Sequence, residues 1–82
     1  MTTLTLRTII EKDEKWYHGY VPALPGCHTQ GKTIEETRKN LREAMSGYIK
    51  TLKEKNLPIP KDESFEAIET IQIDSLSHPL NT

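Results

Sequence analysis

The chain has 82 residues, 11 basic and 12 acidic side chains and a formal net charge of −1, with 34% hydrophobic residues and a mean hydropathy of −0.65. This length allows one domain, and the near-zero charge argues against a general nucleic-acid-binding protein. One cysteine excludes an internal disulfide, and the absence of a long apolar run predicts a cytoplasmic protein with no membrane association. Because the core must be small, we expect a homo-oligomer, either a dimer or a tetramer.

Three short strands are predicted in the first part of the chain. Residues 4–10 alternate between two faces in the way that is typical of a strand. The charged residues 11–15 form the predicted turn, and the aromatic-rich residues 16–21 form the returning strand. Residues 28–30 are predicted to form a third, shorter strand.

The segment between the second strand and the following helix is conformationally restricted. Pro22 and Pro25 fix φ and lack an amide hydrogen, and Gly26 can take the positive φ of a type II Pro–Gly turn. Thr33 and Glu36 have the spacing of a capping box, which predicts where the helix begins. A stiff loop of this kind suits either a recognition surface or a packing corner, and the residues alone do not decide between the two.

A long amphipathic helix is predicted from Thr33 to Lys55, with Asn56 as its C-terminal cap. The prolines at positions 58 and 60 prevent its continuation. Its apolar stripe is formed by residues that recur at helical spacing: Ile34, Leu41, Met45, Tyr48 and Leu52.

Gly47 lies about 140° from this apolar stripe, so packing on the sheet does not require it. A glycine at this position destabilises the helix by roughly 1 kcal/mol relative to alanine. Two interpretations stay open: a tolerated glycine, or the close approach of a partner's backbone at Asn40, Gly47 and Thr51.

A last strand is predicted over residues 65–73, although Ile68 and Glu69 interrupt its alternation. The element order β-β-β-α-β predicts an α+β fold in which one long helix packs on a small mixed sheet. We expect residues 1–74 to form a single domain and residues 75–82 to form a short, flexible tail.

The second face of the predicted sheet has no helix to cover it. Trp16 or Tyr17, together with Ile9, must then be exposed, capped by a loop or covered by a second molecule. For the aromatic residues of the second strand, which include Tyr20, packing on the sheet is favoured over a stacking platform for RNA bases.

No catalytic, metal or cofactor site is predicted. The histidines at positions 18, 28 and 78 lack the spacing of metal ligands. Cys27 and His28 are neighbours, and neighbours on an extended chain point to opposite faces, which is poor geometry for a nucleophile and its base. We therefore interpret Cys27 as a small buried residue. We also interpret the chain as non-catalytic, because its acidic residues do not converge on one site where they could hold metal ions.

One long segment resembles a motif of the HicB family, the antitoxins of HicA–HicB toxin–antitoxin pairs. The motif P-x-L-P-G-C-x-T-x-G-x-T-x-E-E corresponds to residues 22–36, and it follows an aromatic second strand at residues 16–20. The resemblance continues through Ala44-Met45-Ser46-Gly47-Tyr48-Ile49 and Pro58-Ile59-Pro60. It implies a fold like a pared-down ribonuclease H domain, assembly into dimers or larger oligomers, and tight binding to a small basic toxin that cleaves messenger RNA with a histidine.

The chain departs from many HicB proteins at its C-terminal end. Those proteins continue into a helix-turn-helix or ribbon-helix-helix module that binds operator DNA. Only nine residues follow Ile73 here, and they include Pro79, so no such module fits. Direct DNA binding through that route is therefore in doubt, whereas neutralisation of a toxin stays compatible with the sequence.

The resemblance implies a non-catalytic binding module that neutralises a HicA-type toxin by covering its active site. The alternative is an orphan dimeric regulatory or scaffold domain of the same fold, which binds another protein or a small ligand. The candidate partner-binding residues lie in the stiff loop, among the nearby aromatics and on the helix: Trp16, Tyr17, Tyr20, Pro22, Leu24, Pro25, Gly26, Asn40 and Gly47.

Overall fold

The computed structural model describes residues 3–75. Its elements are three strands, β1 (Ile9–Asp13), β2 (Trp16–Tyr20) and β3 (His28–Gly31), then one helix, α1 (Ile34–Glu54), and a 3-10 turn at Ile73–Ser75. Three strands followed by one long helix confirm the predicted α+β class. His78 and the expected tail beyond Ser75 lie outside the described residues.

The three strands form an antiparallel sheet in the order β1-β2-β3, so β2 is central. Ile9 pairs with Tyr20, which in turn pairs with His28. The predicted turn at residues 11–15 is too long, because β1 continues to Asp13 and only two residues reverse the chain. Glu14 takes a φ of 53°, as short hairpin turns require. The charged side chains of β1 are exposed to solvent, so their charge does not prevent strand pairing.

A closed loop, here named the corner (residues 21–27), connects β2 to β3. It consists of two consecutive turns, in which Leu24 N–H donates to the Val21 carbonyl and Cys27 N–H donates to the Leu24 carbonyl, each at 3.0 Å. Gly26 has a φ of 81°, which confirms the predicted type II Pro–Gly turn. Val21 N–H donates to the Cys27 carbonyl at 3.1 Å and closes the loop. The side chain of Leu24 points inward and is fully buried.

Both ends of α1 agree with the sequence prediction to within one residue. Thr33 Oγ1 accepts a hydrogen bond from Glu36 N–H at 3.0 Å, and the Glu36 carboxylate accepts one from Lys32 N–H at 2.8 Å. At the other end, Asn56 has a φ of 56°, and Leu57 N–H donates to the Leu52 carbonyl at 2.9 Å. This is a Schellman-type end, which satisfies the last carbonyls of the helix.

The helix approaches the sheet closely because two strand positions are glycines. A Cβ built on Gly19 would lie 3.0 Å from Thr37 Cγ2, and one built on Gly31 would lie 2.7 Å from Thr37 Oγ1. Thr37 is fully buried, and its hydroxyl donates to the Thr33 carbonyl at 2.7 Å. Ile34, predicted to belong to the apolar stripe, is instead 51% exposed, because Thr37 one turn later makes the first contact with the sheet.

The hydrophobic core is small. Its fully buried apolar members are Val21, Leu24, Cys27 and Leu41, and the half-buried residues around them are Leu6, Ala44, Met45, Tyr48 and Ile49. Three of the four buried residues come from the corner, which therefore acts as a packing element on its inner side.

The predicted fourth strand is absent from the described residues, so the sheet is antiparallel and not mixed. Residues 57–72 have no regular secondary structure. Arg7, just ahead of β1, contacts this segment: its N–H donates to Asp62 Oδ2 at 3.0 Å, and its guanidinium contacts Glu66 at 3.1 Å. Hydrogen bonds from Ser64 and Arg7 N–H lower the pKa of Asp62 below its usual value. Residues 65–73 have the apolar pattern of a strand, but no strand is described beside them within residues 3–75.

Candidate partner-binding surface

Within residues 3–75 no helix or further strand packs on the side of the sheet opposite α1, and we name this side the open face. Because α1 packs over Gly19 and Gly31, the strand residues of the other parity point away from the helix. These residues are Ile9, Glu11, Asp13, Trp16, His18, Tyr20, His28 and Gln30, and none of them is buried. The open face is therefore available to a partner.

Aromatic and imidazole rings lie close together across the open face. The ring centroids of His18 and His28 are 5.6 Å apart, and those of His18 and Tyr20 are 6.1 Å apart. Trp16 is 43% exposed, and Lys32 Nζ lies 5.7 Å from the centroid of a Trp16 ring. Such rings provide a large contact area together with polar edges, which is typical of residues that anchor protein interfaces.

The charged strand residues are sorted between the two sides of the sheet. Glu11 and Asp13 share the open face with the rings, whereas Lys12 pairs with Tyr17 on the helix side. The ionised side chains that the strands present on the open face are thus acidic. Lys32 lies over Trp16 on the same face, so the carboxylates of Glu11 and Asp13 leave a small acidic excess there, which complements a partner that carries basic side chains.

A shallow groove lies between the corner and the helix. It has a volume of about 340 Å³, and its walls include Gly26, His28, Gly47 and Thr51. Tyr48 Oη donates a hydrogen bond to the Pro25 carbonyl at 3.0 Å and fixes the corner against the helix. Nothing lies within 4 Å of a Cβ built on Gly47. His28 lines the groove and also belongs to the open face.

The residues predicted for the partner site fall into three groups. Trp16 and Tyr20 lie on the open face, while the exposed Pro22, Pro25 and Gly26 lie on the corner and Gly47 faces the groove beside it. Three others are elsewhere.

Leu24, Tyr17 and Asn40 have positions that serve the fold. Leu24 has no exposed surface, so it cannot contact a partner directly and supports the corner from inside. Tyr17 lies on the helix side of the sheet, opposite Gly31. Asn40 Nδ2 donates to the backbone carbonyl of Gln30 at 3.1 Å, which ties the helix to the edge strand β3.

The sequence pattern does not assign the two histidines and the two acidic residues of the open face to the candidate site. It places Glu11 and Asp13 in a turn, and His18 and His28 lack the spacing of metal ligands. Their parity relative to Trp16 and Tyr20 is the signal that places them on one surface. Among residues 3–75, no group of three or more His, Cys, Asp or Glu side chains could hold a metal ion.

Cys27 is buried in the core, 5% exposed, which confirms its interpretation as a small buried residue. Burial raises the pKa of its thiol, so the thiol stays protonated at neutral pH. We expect Cys27 to react with a thiol-specific reagent roughly 100-fold more slowly in the native chain than in urea, since reaction requires opening of the core. Ellman's reagent measures both rates, and equal rates would contradict the buried position.

Replacement of Gly47 by alanine should stabilise the chain by about 1 kcal/mol, because a helical glycine in open space is exchanged for the best helix former. Urea unfolding followed by circular dichroism measures the change. The matched control is Gly26→Ala, which also meets open space but has a φ of 81° and should destabilise by about 1–2 kcal/mol. If both variants shifted stability in the same direction, this assignment of backbone conformations would be wrong.

Within residues 3–75, no helix is both long enough and apolar enough to cross a membrane.

Comparison with known proteins relates the chain to a group of antitoxins. A family model described as a HicB-like antitoxin of bacterial toxin–antitoxin systems matches residues 7–74. A UPF0150 protein of Thermoplasma acidophilum is 52% identical over 59 residues, which cover 71% of this chain and 86% of the relative. A UPF0150 protein of Archaeoglobus fulgidus is 36% identical over 66 residues, which cover 79% and 88%.

A third relative, a UPF0150 protein of Synechocystis, is 41% identical over 56 residues, which cover 67% of this chain and 71% of the relative. No solved structure gives a significant match. The likeness to a pared-down ribonuclease H domain therefore stays a prediction, whereas the matches confirm the resemblance that residues 22–36 indicate.

Proposed function

Because the chain belongs to the HicB-like family of antitoxins of bacterial toxin–antitoxin systems, we propose that it neutralises a HicA-type, mRNA-cleaving toxin by covering the toxin's active site. Membership of an antitoxin family implies a toxin partner of some kind. Three points go beyond family membership: the toxin is of the HicA type, the chain acts by covering its active site, and both proteins are cytoplasmic. The chain itself acts as a non-catalytic binding module.

The observation that carries this proposal is the chemistry of the open face. HicA-type toxins are small basic proteins that must bind RNA, so their active sites attract negative charge. Glu11 and Asp13 lie on the open face beside the rings of Trp16 and Tyr20. The carboxylates of the open face thus compete with RNA phosphates for basic groups of the toxin, and the rings supply apolar contact area.

The rigidity of this surface favours tight binding. Strand hydrogen bonds hold the open face, and the corner beside it is fixed by two turns and by the bond from Tyr48 to Pro25. A preorganised surface loses little conformational entropy when it binds, so more of the contact energy contributes to affinity.

The direct test is RNA cleavage by a HicA-type toxin encoded next to this chain. A 1:1 mixture of the two purified proteins should abolish cleavage, and the two should elute together from a sizing column. The control is the toxin mixed with an equal amount of the Leu24→Ala variant. This variant loses a core residue, so the control tests whether inhibition of cleavage requires a properly folded surface. Unimpeded cleavage in the 1:1 mixture would refute the proposal and favour the orphan scaffold domain.

A homo-oligomer, dimer or tetramer, is also part of the proposed function, because the described core is small and apolar residues remain exposed. The toxin and a second copy then need separate surfaces. The open face suits the toxin, and the segment after the helix suits the second copy.

A further inference from the structure

Two histidines from different strands lie side by side on the open face. His18 belongs to β2 and His28 to β3, and the register pairs His18 with Gln30 and Tyr20 with His28. The two histidines are therefore diagonal neighbours on one side of the sheet, a position from which long side chains of adjacent strands reach each other. The pairing of β2 with β3 brings them together, so their spacing in the sequence gives no sign of it.

The distance between the two imidazole rings is close to that of two rings bound to one metal ion. Their centroids are 5.6 Å apart, and the ring planes are inclined by 34°. Zinc binds an imidazole nitrogen at about 2.0–2.1 Å with tetrahedral geometry, which puts the centres of two imidazoles on one ion roughly 5–5.5 Å apart. A small rotation of either ring about its side-chain bonds therefore brings one nitrogen of each histidine to a common ion.

The nitrogens of both rings are accessible. His28 is exposed and His18 is half-buried, and neither belongs to the core. Within residues 3–75, the contacts described for these rings are those with each other and that of His18 with the Tyr20 ring, and no hydrogen bond or ion pair engages an imidazole nitrogen. An ion that arrives from solvent thus has no bond within this part of the chain to displace.

The charges around the pair favour a cation. Glu11 is directly opposite His18 in the register of β1 and β2. Asp13 lies on the same face, opposite Trp16, and Lys32 lies over that tryptophan. The face keeps a small acidic excess, which attracts a cation, and a carboxylate beside a metal-bound histidine can orient the ring.

The cysteine next to His28 is placed where it cannot contribute. Cys27 is 5% exposed and packs in the core with Val21, Leu24 and Leu41. Its side chain and that of His28 point in opposite directions, as neighbours on an extended chain do. The soft thiolate ligand that zinc often takes is therefore not part of this arrangement.

We propose that His18 and His28 form a two-point site for a divalent transition-metal ion of the zinc class. Imidazole suits zinc, nickel and copper, whereas magnesium and calcium prefer oxygen ligands. Within residues 3–75 no third His, Cys, Asp or Glu side chain completes the set. The remaining positions of the ion are thus open to water or to a ligand from a bound partner, unlike those of a closed structural zinc site.

The first test is calorimetric titration of the full chain with zinc chloride at neutral pH. The wild type should bind one ion per chain, and His18→Gln and His28→Gln should each weaken binding by about 10-fold or more, because one imidazole alone cannot chelate. The matched control His78→Gln replaces the remaining histidine of the chain and should keep the wild-type affinity. Equal affinity of the wild type and His18→Gln, loss of binding with His78→Gln, or one ion per two chains would overturn the proposal.

The second test uses the unaltered chain and needs no variant to fold. His18 and His28 are neighbours only while β2 and β3 are paired, so zinc should bind the folded chain in preference and raise the urea midpoint of unfolding. Magnesium at the same concentration should leave the midpoint unchanged. An unchanged midpoint with zinc would mean that the two rings only stack, and an equal rise with magnesium would assign the ion to Glu11 and Asp13. Either result would overturn the proposal, and neither bears on RNA cleavage because no toxin is present.

Discussion

The variant Leu24→Ala should lose about 2–5 kcal/mol of unfolding free energy, the range observed when a fully buried leucine is truncated. Leu24 has no exposed surface and lies in a core that has only three other buried apolar residues within residues 3–75. A chain of this length has a total stability of roughly 4–12 kcal/mol, so this single change removes a large part of it.

Urea unfolding followed by far-UV circular dichroism measures this loss, at a fixed protein concentration because association contributes to stability. The matched control is Leu57→Ala, which makes the same chemical change at a residue that is 49% exposed. We expect the control to change stability by less than about 1 kcal/mol. If the two leucine variants were equally stable, Leu24 would not be the core residue described here.

The position of Leu24 illustrates what the sequence alone leaves open. The prolines and Gly26 predict two tight turns, and those turns are present because their φ preferences are local. Whether the leucine between the turns points inward depends on where the helix lies, and that is decided by contacts distant in sequence, such as the bond from Tyr48 to Pro25. The sequence therefore indicates a stiff loop but does not distinguish a packing corner from a recognition surface.

The helix was predicted almost completely because its ends are determined locally. Thr33 with Glu36 caps one end, and Asn56 in a left-handed conformation closes the other. The sequence predicts strand β1 less well, since its charged second half has the composition of a turn and becomes a strand only by pairing with β2. Strand formation depends on a partner, and the partner is not a local property of the sequence.

The same reasoning applies to residues 65–73. Their alternation predicts a strand, and no strand is described beside them within residues 3–75. A strand pattern becomes a strand only where a neighbouring strand accepts its backbone hydrogen bonds. For the candidate site, the aromatics of the second strand could be identified from the sequence, whereas the acidic residues of the open face required the register of β1 and β2.

The variant Trp16→Ala should weaken binding of the toxin about 30-fold or more, because an aromatic residue at the centre of an interface commonly contributes 2 kcal/mol or more. Trp16 is 43% exposed on the open face and is not part of the core, so the fold should persist, with an unchanged far-UV spectrum. Titration calorimetry with the toxin measures the affinity. The control Ile34→Ala removes a large apolar side chain that is 51% exposed but lies on the helix, and it should change the affinity less than 3-fold.

A third variant, Gly47→Leu, decides between the two surfaces that the sequence left as candidates. A Cβ at position 47 meets no neighbour within 4 Å and faces the groove beside the corner, so we expect leucine there to obstruct a partner in the groove and to leave the fold intact. If Gly47→Leu abolished toxin binding and Trp16→Ala did not, the toxin would occupy the groove and the glycine would be explained by the close approach of its backbone. If Trp16→Ala alone weakened binding, the open face would be the antitoxin surface and Gly47 a tolerated glycine. Loss with both variants would place the toxin across His28, the residue that the two surfaces share.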